Sequence, residues 1–245
     1  VIGIQGGQGC GKSIFACILK AFLEDKGFRA SKASIDDFYL SVRKRKKLMN
    51  SGNVFYGVSR GLPGTHDIRA LKKVLKRVKK GKRVVVREFD KALHGGFGGH
   101  VKRRKIESDL DFFILEGWCV GLQRVEYRKF LRAVGKDKFV RGIFRELGAS
   151  RKDVEKIMGK VRKYEGVWKL IDGMIFMVGN VRRTVSWRLE QERFLRGAGR
   201  GGMSGREVRE FVKPYIPFSY LLQEQVLSGK LIGKVVRVGK DHIPV

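Results

Sequence analysis

The stretch Gly6-Gly7-Gln8-Gly9-Cys10-Gly11-Lys12-Ser13 matches G-x-x-x-x-G-K-[ST], the spacing of a phosphate-binding loop or Walker A motif. A loop that wraps phosphates must turn several backbone N–H groups inward, and glycine tolerates the close approach and unusual dihedrals this needs. Lys12 then brings a point charge near the β- and γ-phosphates, and the Ser13 hydroxyl suits a Mg²⁺ ligand. Two acidic positions could complete phosphoryl chemistry. Of the pair Asp36-Asp37, one carboxylate can accept or orient the proton of an attacking hydroxyl while the other holds a metal shell through water. Glu116 ends the apolar run Phe112-Phe113-Ile114-Leu115, as the carboxylate of a Walker B strand does.

These residues need a scaffold that gathers them. Val1 to Gln5 reads as a short buried strand, and Phe15, Ile18, Leu19, Phe22 and Leu23 recur at helical spacing after Lys12. The loop thus ends at a helix N-terminus, whose dipole favours an anion. Ala33 to Asp36 is expected to close a second strand, so Asp36 and Asp37 emerge at a strand's carboxyl end, where open α/β sheets bind ligands. Asp37 reads equally as the cap of the following helix. Val84-Val85-Val86 is expected as the third strand, followed by a loop, His94 to His100, too glycine-rich for a regular element and suited to a substrate lid. Residues 173–178 read as a late core strand and residues 231–238 as an edge strand. Gly61-Leu62-Pro63-Gly64-Thr65-His66-Asp67 is a tight turn that either delivers polar side chains or simply caps the next helix. Arg182, Arg183 and Arg188 fall at the start of a late helix, as lid arginines over a transferring phosphate or as salt-bridged surface. The whole pattern is that of a doubly wound, mostly parallel α/β sheet.

With 245 residues and 42% apolar content, one domain spanning 1–245 is expected. Three scattered cysteines, Cys10, Cys17 and Cys119, show no metal-ligand spacing and suit a reducing compartment, the cytoplasm. No apolar run reaches membrane-spanning length and no secretory signal is visible. The chain begins inside a strand without Met, so an upstream targeting segment stays open. Fifty-four Lys+Arg against 24 Asp+Glu leave a formal charge of +30, which favours polyanionic partners, nucleic acid first. The distribution argues for a blander origin. Nine of the fifteen residues 69–83 are basic, yet Leu71, Val74, Leu75 and Val78 form an apolar stripe that turns the cations outward. Arg43 to Lys47 fits a nuclear-localisation run, a phosphate patch or the start of a surface helix. No nucleic-acid-binding module with interleaved aromatics is present.

Taken together, SIDDFYL at 34–40, RGLPGTHD at 60–67, FDK at 89–91, EGWCVG at 116–121, WRLEQE at 187–192 and GMS at 202–204 closely resemble the D-glycerate 3-kinase family of plants and fungi. That family sits with uridine kinase, phosphoribulokinase and pantothenate kinase among the P-loop kinases. The resemblance implies phosphorylation of a small hydroxylated metabolite, glycerate, by ATP with Mg²⁺. It implies Asp36 as the catalytic aspartate and Arg60, His66, Asp67, Asp90 and Lys91 as lining of the acceptor pocket. Residues 6–13 with Arg188 would hold the nucleotide, and Ser13 with Glu116 the metal. The chain departs from the family pattern in the glycine-rich loop, where Gly98-Gly99-His100 stands for Gly-Asp-Arg, and after Gly-Met-Ser, where Gly205-Arg206 replaces acids. These replacements account for part of the +30 and bear on acceptor specificity. A kinase of the same fold for a nucleoside or pantothenate shares the phosphate-site residues, and a nucleic-acid-associated P-loop protein would use the basic surface instead.

Overall fold

The computed structural model describes residues 1–197 and 203–241, so Gly202 of the Gly-Met-Ser motif lies outside it. In chain order the elements are β1 (Ile2–Gly6), α1 (Lys12–Asp25), β2 (Ala30–Ser34), α2 (Val42–Met49), α3 (Ile68–Val78), β3 (Val84–Asp90), β4 (Gly99–Ile106) and β5 (Phe112–Gly117). There follow α4 (Tyr127–Gly135), α5 (Lys138–Glu146), α6 (Arg151–Trp168), β6 (Gly173–Gly179), α7 (Thr184–Gly197), α8 (Gly205–Val212), α9 (Ile216–Leu227) and β7 (Lys234–Val238). Five strands form one parallel sheet in the order β2-β5-β1-β6-β7. Helices cover both faces. β1 and β5 read as near-continuous apolar runs because strands buried on both sides have no solvent face to keep polar.

The order puts the topological switch at β1 and β5, which opens a crevice at the strands' carboxyl ends. Register then decides what enters it. Glu116 on β5 pairs with Ile4 on β1 and with Ser34 on β2, so the acid, the phosphate loop and the Asp36-Asp37 segment emerge side by side.

Two expectations need correction. Asp36 is not in a strand: β2 ends at Ser34, and residues 35–38 make one 3₁₀ turn. The Ser34 hydroxyl accepts the Asp36 N–H while the Asp37 carboxylate accepts the Ser34 N–H, and such local bonds outcompete strand pairing. Gly99 and His100 are not loop but begin β4, which pairs antiparallel with β3 in a separate two-stranded ribbon. β3 buries Val84 and Val86 and exposes Val85 and Arg87, the alternation of a ribbon lying with one face on the core.

The basic helix behaves as its stripe dictates. Leu71, Val74 and Leu75 of α3 are buried while all nine cations of 69–83 are exposed. Val154, Ile157, Met158 and Val161 of α6 are buried in the same core, and Ser150 and Ser204 cap α6 and α8 through capping boxes. β7 takes the sheet edge beside β6. Among the described residues no helix is long and apolar enough to cross a membrane. Leu75 is fully buried, so Leu75→Ala should cost about 2–5 kcal/mol in urea denaturation. Lys73→Ala, on the exposed face, should stay within about 0.5 kcal/mol.

Candidate functional site

β1 delivers the chain into the loop, and α1 begins at Lys12 with no acid in its first turn, which leaves its dipole free for an anion. Gly9 and Gly11 have φ of +77° and +85°, the left-handed region. At Gly9 a Cβ would also lie 2.6 Å from the Trp187 Cβ, so only glycine lets α7 close over the loop. Gly6 and Gly7 open the turn, and Cys10 points into the core, where burial pushes its thiol pKa up and makes it a packing residue. The Gln8 side chain reaches across to the Tyr215 hydroxyl.

The Ser13 hydroxyl donates to Glu116 Oε1 at 3.0 Å, and Glu116 Oε2 is buried without a partner. Two hard oxygen donors beside a phosphate loop fit Mg²⁺, which takes one or two protein oxygens and leaves the rest to phosphates and water. Among the described residues no group of three or more His, Cys, Asp or Glu side chains could form an all-protein metal cage.

The opposite wall carries the paired aspartates, whose roles separate. Asp37 is a structural bolt: its carboxylate accepts the N–H groups of Ser34 at 3.0 Å and of Phe89 at 3.3 Å, fastening β3 to the turn. Asp36 is free of such duty. It contacts Lys91 Nζ at 2.7 Å, and burial together with the Asp36 charge pushes the Tyr39 hydroxyl pKa well up. Burial works against the charge of Asp36 itself, yet Lys91, with Lys12 adding from the phosphate side, holds the carboxyl well below the usual range. His66 lies flat on Tyr39, with ring centroids 4.5 Å apart. The Tyr164 hydroxyl accepts the Gly64 N–H and sits 2.9 Å from His66 Nδ1, leaving the buried Nε2 unpartnered. Burial, opposed by the Asp36 charge, pushes His66 from 6.5 down to about 4, so the ring is neutral.

Between the ribbon and α7–α8 lies a cleft of 1390 Å³ whose lining includes Arg60, Asp90, Lys91, Arg188 and Phe211. Arg60 and Arg188 stack on the same ring, 5.5 and 5.7 Å from the Phe211 centroid. Both are buried; Arg188 pairs with Glu192, whereas Arg60 has no carboxylate partner among the described residues. Burial lowers the Arg188 pKa and Arg60 adds to that, with Glu192 opposing. The Arg188 backbone adjoins Gly9, so this residue stands astride the phosphate loop and the cleft. Aromatic side chains hold the Arg60 segment from behind. Tyr215 donates to the Arg60 carbonyl, Trp118 to that of Gly61 and Tyr56 to that of Pro63.

Arg60, Asp90 and Lys91, expected on the acceptor side, line this cleft together with Arg188, which was expected at the nucleotide, whereas His66 and Asp67 are not part of its lining. The exposed Asp67 carboxylate accepts the Ala70 N–H and caps α3, the turn-and-cap alternative. Asp90 lines the cleft but spends one oxygen on the Ala92 N–H. Sequence reasoning missed Tyr39, Phe211, Tyr215 and Arg45. The last is buried although it sits in a run of exposed cations, because α2 turns only that one inward. Among the described residues, the buried side-chain atoms without a hydrogen-bond partner belong to Gln8, His66, Glu116, Arg188 and Glu192. Gln8 and Glu116 lie at the phosphate loop and Arg188 and Glu192 line the cleft, so most of this unused polar capacity sits where a ligand would use it, while His66 is buried behind Tyr39.

No protein-family model matches the chain. It is 30% identical over 239 residues to the uncharacterized kinase mug58 of Schizosaccharomyces pombe, covering 94% of this chain and 83% of that protein. It is 26% identical over 226 residues to the chloroplastic D-glycerate 3-kinase of Arabidopsis thaliana, covering 89% of this chain and 46% of the longer relative. The solved D-glycerate 3-kinase of Cryptococcus neoformans matches with a TM-score of 0.85 and 28% identity over 100% of this chain and 87% of its own.

The neutral His66 makes a pH prediction. It protonates near pH 4 when folded and near 6.5 when unfolded, so in that window the unfolded state binds more protons and stability rises with pH. Acidification from pH 6.5 to 4 should remove up to roughly 3 kcal/mol through this residue. Asp36, depressed when folded, loses its contribution only as pH falls through and below the ordinary carboxylate range. His66→Gln should flatten the upper part of a plot of urea midpoint against pH.

Proposed function

Since the chain belongs to the D-glycerate 3-kinase family of P-loop kinases, we propose that this ATP-dependent kinase phosphorylates the 3-hydroxyl of D-glycerate. The observation that carries the acceptor assignment is the pair of buried arginines on one ring in the cleft that also contains Lys91, the partner of Asp36. An Arg fork binds a planar carboxylate in two parallel hydrogen bonds, and a desolvated pair without enough acids to neutralise it favours an acceptor that brings its own anion. Glycerate carries a carboxylate and a primary hydroxyl a short distance apart.

In this reading the backbone amides of residues 6–13, Lys12 and the α1 N-terminus bind the β- and γ-phosphates. Ser13 and Glu116 would hold Mg²⁺ directly or through water, and the ion would supply neutralisation of phosphate charge. Arg60 and Arg188 orient the acceptor so that its hydroxyl meets Asp36. The hydroxyl oxygen bonds to the γ-phosphorus, the bond to the bridging oxygen of ADP breaks, and the hydroxyl proton passes to Asp36. A carboxylate held ionised by two lysines is too weak a base to deprotonate an alcohol beforehand. It serves instead to aim the hydroxyl and take its proton late, which suits a loose transition state that asks little of the nucleophile. Lys91 and Arg188 then face the oxygens on which charge spreads.

Incubation with ATP-Mg²⁺ and a panel of D-glycerate, nucleosides and pantothenate, read as ADP release, tests the assignment. Glycerate-dependent ADP is expected, and turnover with another acceptor in its place overturns the substrate while sparing the kinase. Asp36→Asn should lower turnover about 100-fold or more with ATP affinity retained; near-normal turnover would pass the role to Asp90.

A further inference from the structure

Arg45 is 1% exposed, the most buried charged side chain among the described residues, although its neighbours Arg43, Lys44, Lys46 and Lys47 all face solvent. No carboxylate pairs with it among the described residues. Its charge is met by carbonyl oxygens: Nε donates to Leu40 at 2.9 Å, Nη1 to Ser59 at 3.1 Å and to Phe97, and Nη2 to Gly98 at 2.8 Å. The rings of Tyr39 and Phe89 flank the guanidinium at 5.6 and 5.3 Å. A cation buried without a counter-ion is costly, so it persists only where its hydrogen bonds organise something the fold needs.

What it organises is the acceptor side. The three stretches it joins are the one just after the Asp36 turn, the one just before Arg60, and the end of the loop 91–98 that begins with Lys91. That loop is soft by composition, with His94, Gly95, Gly96 and Gly98 all at positive φ. Inside it only three backbone hydrogen bonds are made, from Gly96, Phe97 and Gly98. Its far half is fixed from outside, at Gly96 by Arg60 and at Phe97 and Gly98 by Arg45. A second route leads the same way, since Tyr39, against which Arg45 packs, feels the Asp36 charge and stacks on His66.

We propose that Arg45 is a positioning residue of the phosphoryl transfer: its fork sets the loop that holds Lys91 on Asp36 and the segment that carries Arg60, without touching substrate. The acceptor readout rests on the glycerate reading; the loop readout does not. Lysine has one nitrogen and no planar fork, so it cannot span three segments in the same geometry.

The test uses Arg45→Lys and Arg45→Gln in the full chain. Native limited trypsinolysis, followed by mass spectrometry, compares cleavage after Lys91 with cleavage after Lys26 at the exposed end of α1. Alongside it run binding of a fluorescent ATP analogue and steady-state kinetics with D-glycerate. The expected result is a ratio of Lys91 to Lys26 cleavage raised about fivefold or more by local loop opening. The kcat/KM for glycerate should fall about tenfold or more while nucleotide affinity stays within about twofold. An unchanged ratio in both variants overturns the proposal. So does a rise at both sites in step with loss of nucleotide binding, which marks a purely structural arginine. Should the wild type turn over no glycerate, the acceptor reading fails, and the cleavage ratio with nucleotide affinity still decides Arg45.

Discussion

Parallel pairing forces neighbouring strands to end together, and in this chain that geometry precedes all the chemistry. With Glu116 in register with Ile4 and Ser34, the last residues of β5, β1 and β2 open into one crevice. The phosphate loop, the Ser13–Glu116 oxygens and the Asp36 turn then need only short local structures to reach one another. A slip of one residue in β5 would turn Glu116 to the other face of the sheet and leave Ser13 without its partner.

The second half of the site is built differently, by side chains that hold backbone. Tyr215, Trp118 and Tyr56 grip the Arg60 segment; Arg45 and Arg60 grip the glycine-rich loop; Asp37 grips β3. Such a wall can be rearranged by exchanging a few hydrogen bonds, whereas the phosphate side is welded to the sheet. The division suits an enzyme whose nucleotide end is generic and whose acceptor end must discriminate. It also explains how a chain with glycine and histidine at positions 99 and 100 keeps an ordered wall. His100 Nε2 lies 3.1 Å from the Asp37 carbonyl oxygen and its ring packs edge-on against Phe89.

Much of this was legible along the chain. The strand, loop and helix at residues 2–25, the β5 acid and the apolar stripes of α3 and α6 all rest on spacings within one element. The stripe on α3 also separated solvated cations from functional ones, and all nine are exposed. The acceptor side was legible through family motifs more than through physics. Spacing alone left Asp67 undecided between pocket and cap, and it is the cap. It favoured Asp36 for function with a cap as the alternative for Asp37, and the capping box over residues 34–37 engages the Asp37 carboxylate.

By itself, then, the sequence determined the doubly wound class, the phosphate loop and the helix behind it, because a motif of eight residues and a periodicity of 3.6 are properties of short segments. The ribbon formed by β3 and β4, the shared ring under Arg60 and Arg188, and the burial of Arg45 among solvated cations were decided only by the tertiary structure. Those contacts join residues far apart in the chain, such as Arg45 and Gly98, through bonds from side chain to backbone. A carbonyl oxygen is present at every position, so the partner of such a bond leaves no mark in the amino-acid sequence.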